Sequence, residues 1–143
     1  MIRFIQAKDT LPLRSLVLRN GLAENECYFD QDKLDDTFHL GYYHEDQLVC
    51  ILTCQKENHG KLPKDAYRLC GMATHPDFLR KGYAKTTLDA AMEHLKTQLQ
   101  IDYLWFNARK NAFPFYERMG FEFMSDEFDI PGIGPHKEMF KFL

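Results

Sequence analysis

The chain has 143 residues, of which 45% are apolar and 27% charged, with a net charge of −3; this suits a single domain over residues 1–143 with one core. The slight acidic excess argues against a nucleic-acid partner, which would call for a basic face. No apolar run reaches the ~20 residues of a membrane-spanning helix and no signal peptide is visible, so the expectation is a cytoplasmic protein without a membrane role.

The elements follow in chain order. Residues 2–6 alternate weakly and read as a first strand. Residues 11–19 read as a helix, capped by Asp9 or Thr10, with Pro12 in its first turn and Gly21 just past its end. Arg14 and Arg19 fall off its apolar stripe, either as solvated surface or facing a substrate cleft. Residues 24–36 are acidic, with Tyr28 and Phe29 embedded, and read first as a solvated loop. Residues 37–43 and 47–55 form a predicted hairpin turning at His44, Glu45 and Asp46, with Phe38, Leu40 and Tyr42 on one face and His39 and Tyr43 on the other. Gly60 and Pro63 mark residues 56–65 as a loop.

Residues 67–74 read as a buried central strand that stops at His75 and Pro76. A helix follows Gly82 and runs to about Leu99, its apolar stripe made by Leu88, Ala91, Met92, Leu95 and Leu99. Residues 101–107 are β-branched and aromatic and read as a strand parallel to the central one, since a helical crossover joins the two. A short helix over 111–118 starts at Asn111, tolerates Pro114 and ends at Gly120. Residues 121–129 and 136–143 close the chain as an antiparallel hairpin around a Gly/Pro-rich connection.

Cys27, Cys50, Cys54 and Cys70 lack metal-type spacing, and the six histidines make no helical ligand pair. The thiols read as reduced and mostly core, and no metal is expected.

Chemistry concentrates where the central strand turns into its helix. A helix N-terminus offers backbone N–H groups with no internal partner and carries partial positive charge. Arg80, Lys81 and Lys85 add full charge there, and Gly82 removes the side chain that would keep a ligand off the backbone. The turn therefore reads as a phosphate grip, although it is neither a dinucleotide fingerprint nor a P-loop.

Leu79-Arg80-Lys81-Gly82-Tyr83-Ala84 resembles the acetyl-CoA motif of the GNAT superfamily of N-acetyltransferases, with Leu79 where that family usually has Gln or Arg. Residues 112–121, AFPFYERMGF, resemble the A-x-x-x-Y-x-x-x-G-F pattern of the same superfamily. The resemblance implies an acyl-CoA N-acyltransferase fold of mixed α/β class: a twisted, mainly antiparallel sheet with a central parallel strand pair and helices on both faces. It implies acetyl-CoA as co-substrate and an amine acceptor, with the acidic 24–36 segment bordering the acceptor. It also implies backbone polarisation of the thioester at Met72 and Ala73, cofactor contacts from residues 79–84, Asn107 and Phe113, and Tyr116 as partner of the departing thiolate.

His136 is the first candidate to take the amine's proton and His39 the second. A non-catalytic acyl-CoA-binding module is the alternative reading. Exposed strand edges could support a homodimer.

Overall fold

A computed structural model describes all residues, Met1–Leu143. Eight strands form one sheet in the order β1-β2-β3-β4-β5-β8-β6, with β7 also paired to β8. They are β1 Ile2–Ile5, β2 Phe38–His44, β3 Gln47–Lys56, β4 Ala66–Thr74, β5 Tyr103–Arg109, β6 Glu122–Phe123, β7 Phe128–Ile130 and β8 Gly134–Phe142. Only β4 and β5 run parallel; the other pairings are antiparallel. The fold class expected from the resemblance is the one observed.

Helix α2 (Tyr83–Thr97) and the short α3 (Phe113–Arg118) pack on one face of the sheet. Leu88, Ala91 and Leu95 are fully buried there, together with Leu52, Leu104 and Met139 from three strands. Leu99 is not part of the stripe: α2 stops at Thr97 and Leu99 is exposed. Helix α1 (Ala7–Leu13) lies on the opposite face, where Leu13 meets Ile51 and Ala73. No helix is long and apolar enough to cross a membrane.

Three local readings are corrected. The first helix begins earlier than expected, and its cap is the Asp9 carboxylate, which accepts the Gln6 N–H at 2.9 Å from inside the first turn. From Arg14 to Leu18 it widens into a π-turn. Arg14 is fully buried instead of solvated, one turn after Thr10 and Leu11 on the buried side of the helix. The third helix starts as a 3-10 turn, and Asn111 does not cap it. The closing hairpin is broken: β6 pairs with Met139 and Phe140, while β7 pairs with Gly134, Pro135 and His136.

Two irregularities position the site. The β4–β5 ladder runs only from Ala66↔Tyr103 to Arg68↔Trp105 and then opens. On its other side β4 is bulged against β3 between the Thr53↔Cys70 and Ile51↔Ala73 pairs. Gly71 sits in the bulge with φ +60, and a Cβ there would lie 2.7 Å from the Phe29 ring, so glycine is required twice over.

Candidate active site

At the end of β4 the chain makes a 3-10 turn, Pro76–Phe78, and reaches α2 through Leu79, Arg80, Lys81 and Gly82. Arg80 and Gly82 both have left-handed backbones, φ +60 and +83. Such alternation folds successive amides toward one point, the geometry of an anion-binding nest. The first helical bond is Thr86 N–H to the Gly82 carbonyl, so the amides of Gly82, Tyr83, Ala84 and Lys85 have no backbone acceptor. A Cβ built on Gly82 meets nothing within 4 Å. The open space before those amides belongs to a cavity of about 610 Å³ whose walls include Thr74, Phe78, Arg80, Phe115 and Met119. A diphosphate fits this cradle: free N–H donors, no side chain in the way, and basic groups beside it.

The residues singled out in the sequence are only partly brought together. Leu79, Arg80, Gly82, Tyr83 and Ala84 line the cavity, and Lys81 is exposed beside it. Leu79 is 56% exposed, a bare apolar side chain on the rim. Tyr83 stacks on Tyr42 at 4.3 Å and its hydroxyl is 2.9 Å from His44 Nδ1, which ties the start of α2 to β2. Met72 follows Gly71 in the bulge, and the Tyr116 hydroxyl lies 3.8 Å from its sulfur. Ala73 is buried against Leu13 and Ile51. Asn107 stands on β5 beyond the last β4–β5 pair, opposite Glu138. Phe113 is in the core against Phe123 and is not a wall of the cavity.

Burial, with a smaller push from Cys50, raises the Tyr116 phenol to about 12. The ring is held by Phe106 at 4.4 Å and Phe115 at 5.1 Å. His136 is buried and stacked on Phe128. Its Nδ1 is 2.7 Å from the Gly134 carbonyl, which can only accept, so Nδ1 carries the proton and Nε2 keeps a free lone pair. His39 is different: its Nδ1 is 2.8 Å from Thr53 Oγ1, which also accepts from Arg14, and its Nε2 faces the Asp32 carboxylate at 3.9 Å. Both ring nitrogens are thus turned to the polar cluster.

The face of the sheet opposite α2 was poorly anticipated. There Arg14 donates to both oxygens of Asp32, to the Cys27 carbonyl and to Thr53, and stacks on the Phe29 ring at 3.6 Å. One arginine thus clamps the 24–36 segment over the β4 bulge. Burial opposes ionisation of Asp32, but hydrogen bonds from Arg14 and the Phe29 amide prevail and hold its carboxyl below the usual range. Burial and the Arg14 charge outweigh the Asp32 carboxylate and keep His39 below its ordinary value. Farther along the same face, Gln55, Glu57, Arg68 and Cys70 form a connected polar row. Strand alternation could have placed Thr53 and Gln55 together; nothing local pointed to their partners.

The profile of the acetyltransferase (GNAT) domain family matches residues 22–140. The chain is 32% identical over 143 residues to the uncharacterized N-acetyltransferase YitI of Bacillus subtilis (strain 168), covering 99% of this chain and 95% of that one. Its fold is similar to that of Escherichia coli ElaA, with a TM-score of 0.77, 14% identity and 99% of each chain covered. It is also similar to an aminoglycoside 6'-N-acetyltransferase complexed with coenzyme A, with a TM-score of 0.74, 12% identity, and 99% and 96% of the two chains covered. On the profile match and the YitI identity, the chain belongs to the GNAT acetyltransferase family.

Proposed function

We propose that this protein is an acetyl-CoA-dependent N-acetyltransferase that passes an acetyl group to a primary amine of a small molecule or peptide by direct attack. The observation that carries this reading is the set of unpartnered amides from Gly82 to Lys85. They open on a cavity shared with α3, the helix whose Tyr116 hydroxyl reaches β4 at its bulge. Acetyl-CoA, when bound, would supply an activated acyl thioester. The amides, with Arg80 and Lys81 beside them, would hold its diphosphate, and residues 79–84 and Asn107 form its expected surroundings; Phe113, buried in the core, would act only by supporting α3 from behind.

Three demands remain for the protein. The thioester carbonyl must be polarised, a task for backbone N–H groups at Met72 and Ala73, where β4 is bulged and separated from β5. The departing thiolate must be stabilised. With Tyr116 at about 12 and a thiol near ~8.5, full proton transfer from the phenol is uphill by about 5 kcal/mol. Tyr116 therefore stays protonated and donates a hydrogen bond to the sulfur.

The attacking amine must be neutral, which costs a lysine-like amine about 4.6 kcal/mol at pH 7. His136 Nε2, with its lone pair free, is the group assigned to that proton. Direct attack needs no nucleophilic cysteine, and burial pushes the Cys70 thiol up to about 12, out of thiolate range.

Tyr116→Phe tests the reading. Turnover, followed as thiol release from acetyl-CoA over a panel of amines, should fall roughly 10²-fold while CoA affinity is retained. Undiminished turnover removes Tyr116 from the mechanism. CoA binding with no thiol release for any amine by the wild-type protein leaves the acyl-CoA-binding module instead.

A further inference from the structure

The polar face opposite α2 has an uneven charge balance. Asp32 is matched by Arg14, and Glu57 by Arg68 at 3.4 Å. Glu138 is different. Its partner is His59, whose Nε2 lies against Glu138 Oε2. His59 Nδ1 accepts the Lys61 N–H at 3.0 Å, so the ring's proton is on Nε2 and points at the carboxylate. This is the neutral tautomer, and it leaves the Glu138 charge uncompensated although that side chain is only 20% exposed. A carboxylate paired only with a neutral imidazole keeps acceptor capacity for an incoming cation.

The setting around the pair is built with care. His59 sits edge-on to Trp105 at 4.7 Å. The Trp105 indole donates to the Glu57 carbonyl, and Tyr103 Oη accepts the His59 amide and donates to the Leu62 carbonyl. The loop between β3 and β4 is thus fastened over β5, and it fixes His59 on Glu138. Behind the carboxylate, the Glu138 amide is held by Ser125 Oγ at 2.8 Å. Glu138 shares its face of β8 with His136 two residues away, and it stands opposite Asn107, past the point where β4 and β5 separate.

We infer that the Glu138–His59 pair is the anchor for a second ammonium group on the acceptor, so that the preferred acceptor is a linear diamine or a chain of like charge spacing. This rests on the acetyltransferase reading above. A carboxylate that grips an ammonium keeps it protonated, so Glu138 cannot serve the nitrogen that must attack. Position agrees. The thioester is assigned to the gap beside Met72 on β4, and β8 lies beyond the intervening β5, more than about 10 Å away because β4 and β5 have separated there. An acceptor the length of a lysine side chain, together with the Glu138 side chain, covers that span. His59 is a positioning residue, holding one carboxylate oxygen and leaving the other for the ligand. Asp129 on β7, opposite Pro135, adds negative charge at the same end of the sheet.

The test is calorimetric binding of 1,4-diaminobutane, n-butylamine and 4-aminobutyrate to the CoA-saturated protein. The diamine should bind at least ten-fold more tightly than the monoamine, and the amino acid most weakly. Glu138→Gln should erase the diamine preference while CoA affinity and melting temperature stay as in the wild type. His59→Gln, which retains a donor, should keep more of that preference than His59→Leu. Equal binding of diamine and monoamine, an undiminished preference in Glu138→Gln, or no amine binding at all overturns the inference. Thiol release measured in parallel separates the two readings: acetyl transfer without a diamine preference sinks only the anchor, and a diamine preference without transfer sinks only the enzyme.

Discussion

The two faces of the sheet are held by different physics. On the α2 face, Leu88, Ala91 and Leu95 meet strand residues in one apolar cluster. Stability there comes from area removed from water, and each side chain is replaceable by another of similar volume. On the α1 face, beyond a small apolar patch around Leu13, a buried arginine ties together a carboxylate, a carbonyl, a hydroxyl and an aromatic ring. That arrangement depends on each partner being present. The comparison explains where the two substrates are read to enter. Main-chain amides at the end of the apolar side suit a constant coenzyme, and side-chain chemistry on the polar side suits a particular acceptor.

The strongest way to break this contrast is Arg14→Met. It leaves Asp32 buried without its cation and should cost about 3–5 kcal/mol, read as a lowered denaturant midpoint. Leu95→Ala on the other face should cost about 2–5 kcal/mol. Only the arginine variant should also loosen residues 24–36, seen as faster amide exchange. A midpoint for Arg14→Met equal to the wild type would show that the polar clamp contributes nothing.

Next in size is Gly82→Val. The new side chain projects into the space before the α2 amides and should weaken CoA binding at least 100-fold, about 2.7 kcal/mol. The fold itself loses about 1–2 kcal/mol from a β-branched residue in a left-handed backbone. Tight CoA binding by this variant would contradict the phosphate grip.

A smaller effect is expected with pH. His39 and Asp32 both titrate lower in the folded chain than in the unfolded one. The unfolded chain therefore binds more protons, and stability falls as pH falls. The loss begins below about 6.5 for His39 and continues below about 3.9 for Asp32. Both contributions are fully present above those values. His39→Gln should flatten the first part of the decline and Asp32→Asn the second, in melts recorded from pH 7 to pH 3. Parallel curves for wild type and variants would remove these groups from the acid response.

How much of this was legible in the sequence follows from the same contrast. The α2 stripe, the central strand and its turn are local patterns, so periodicity and a glycine were enough to place them. The polar face is written in long-range pairs. Arg14 meets Asp32 and Thr53 across 18 and 39 residues, and His59 meets Glu138 across 79. No window on the chain contains both partners. Arg14 was hidden further because the buried side of its helix carries the polar Thr10 and Arg14 itself, which give no apolar signal. His136 was singled out as a candidate for its place on the closing hairpin, while Glu138, two residues on, carried no local signal.

The central claim is that backbone amides at the start of α2 hold the coenzyme's diphosphate and so aim its sulfur at Tyr116. A structure of the complex with coenzyme A tests it most directly. The expected result is diphosphate oxygens within hydrogen-bond distance, roughly 2.7–3.2 Å, of amides between Gly82 and Lys85, with the thiol facing the Tyr116 hydroxyl. A diphosphate seated elsewhere, or a thiol turned away from that phenol, would contradict it.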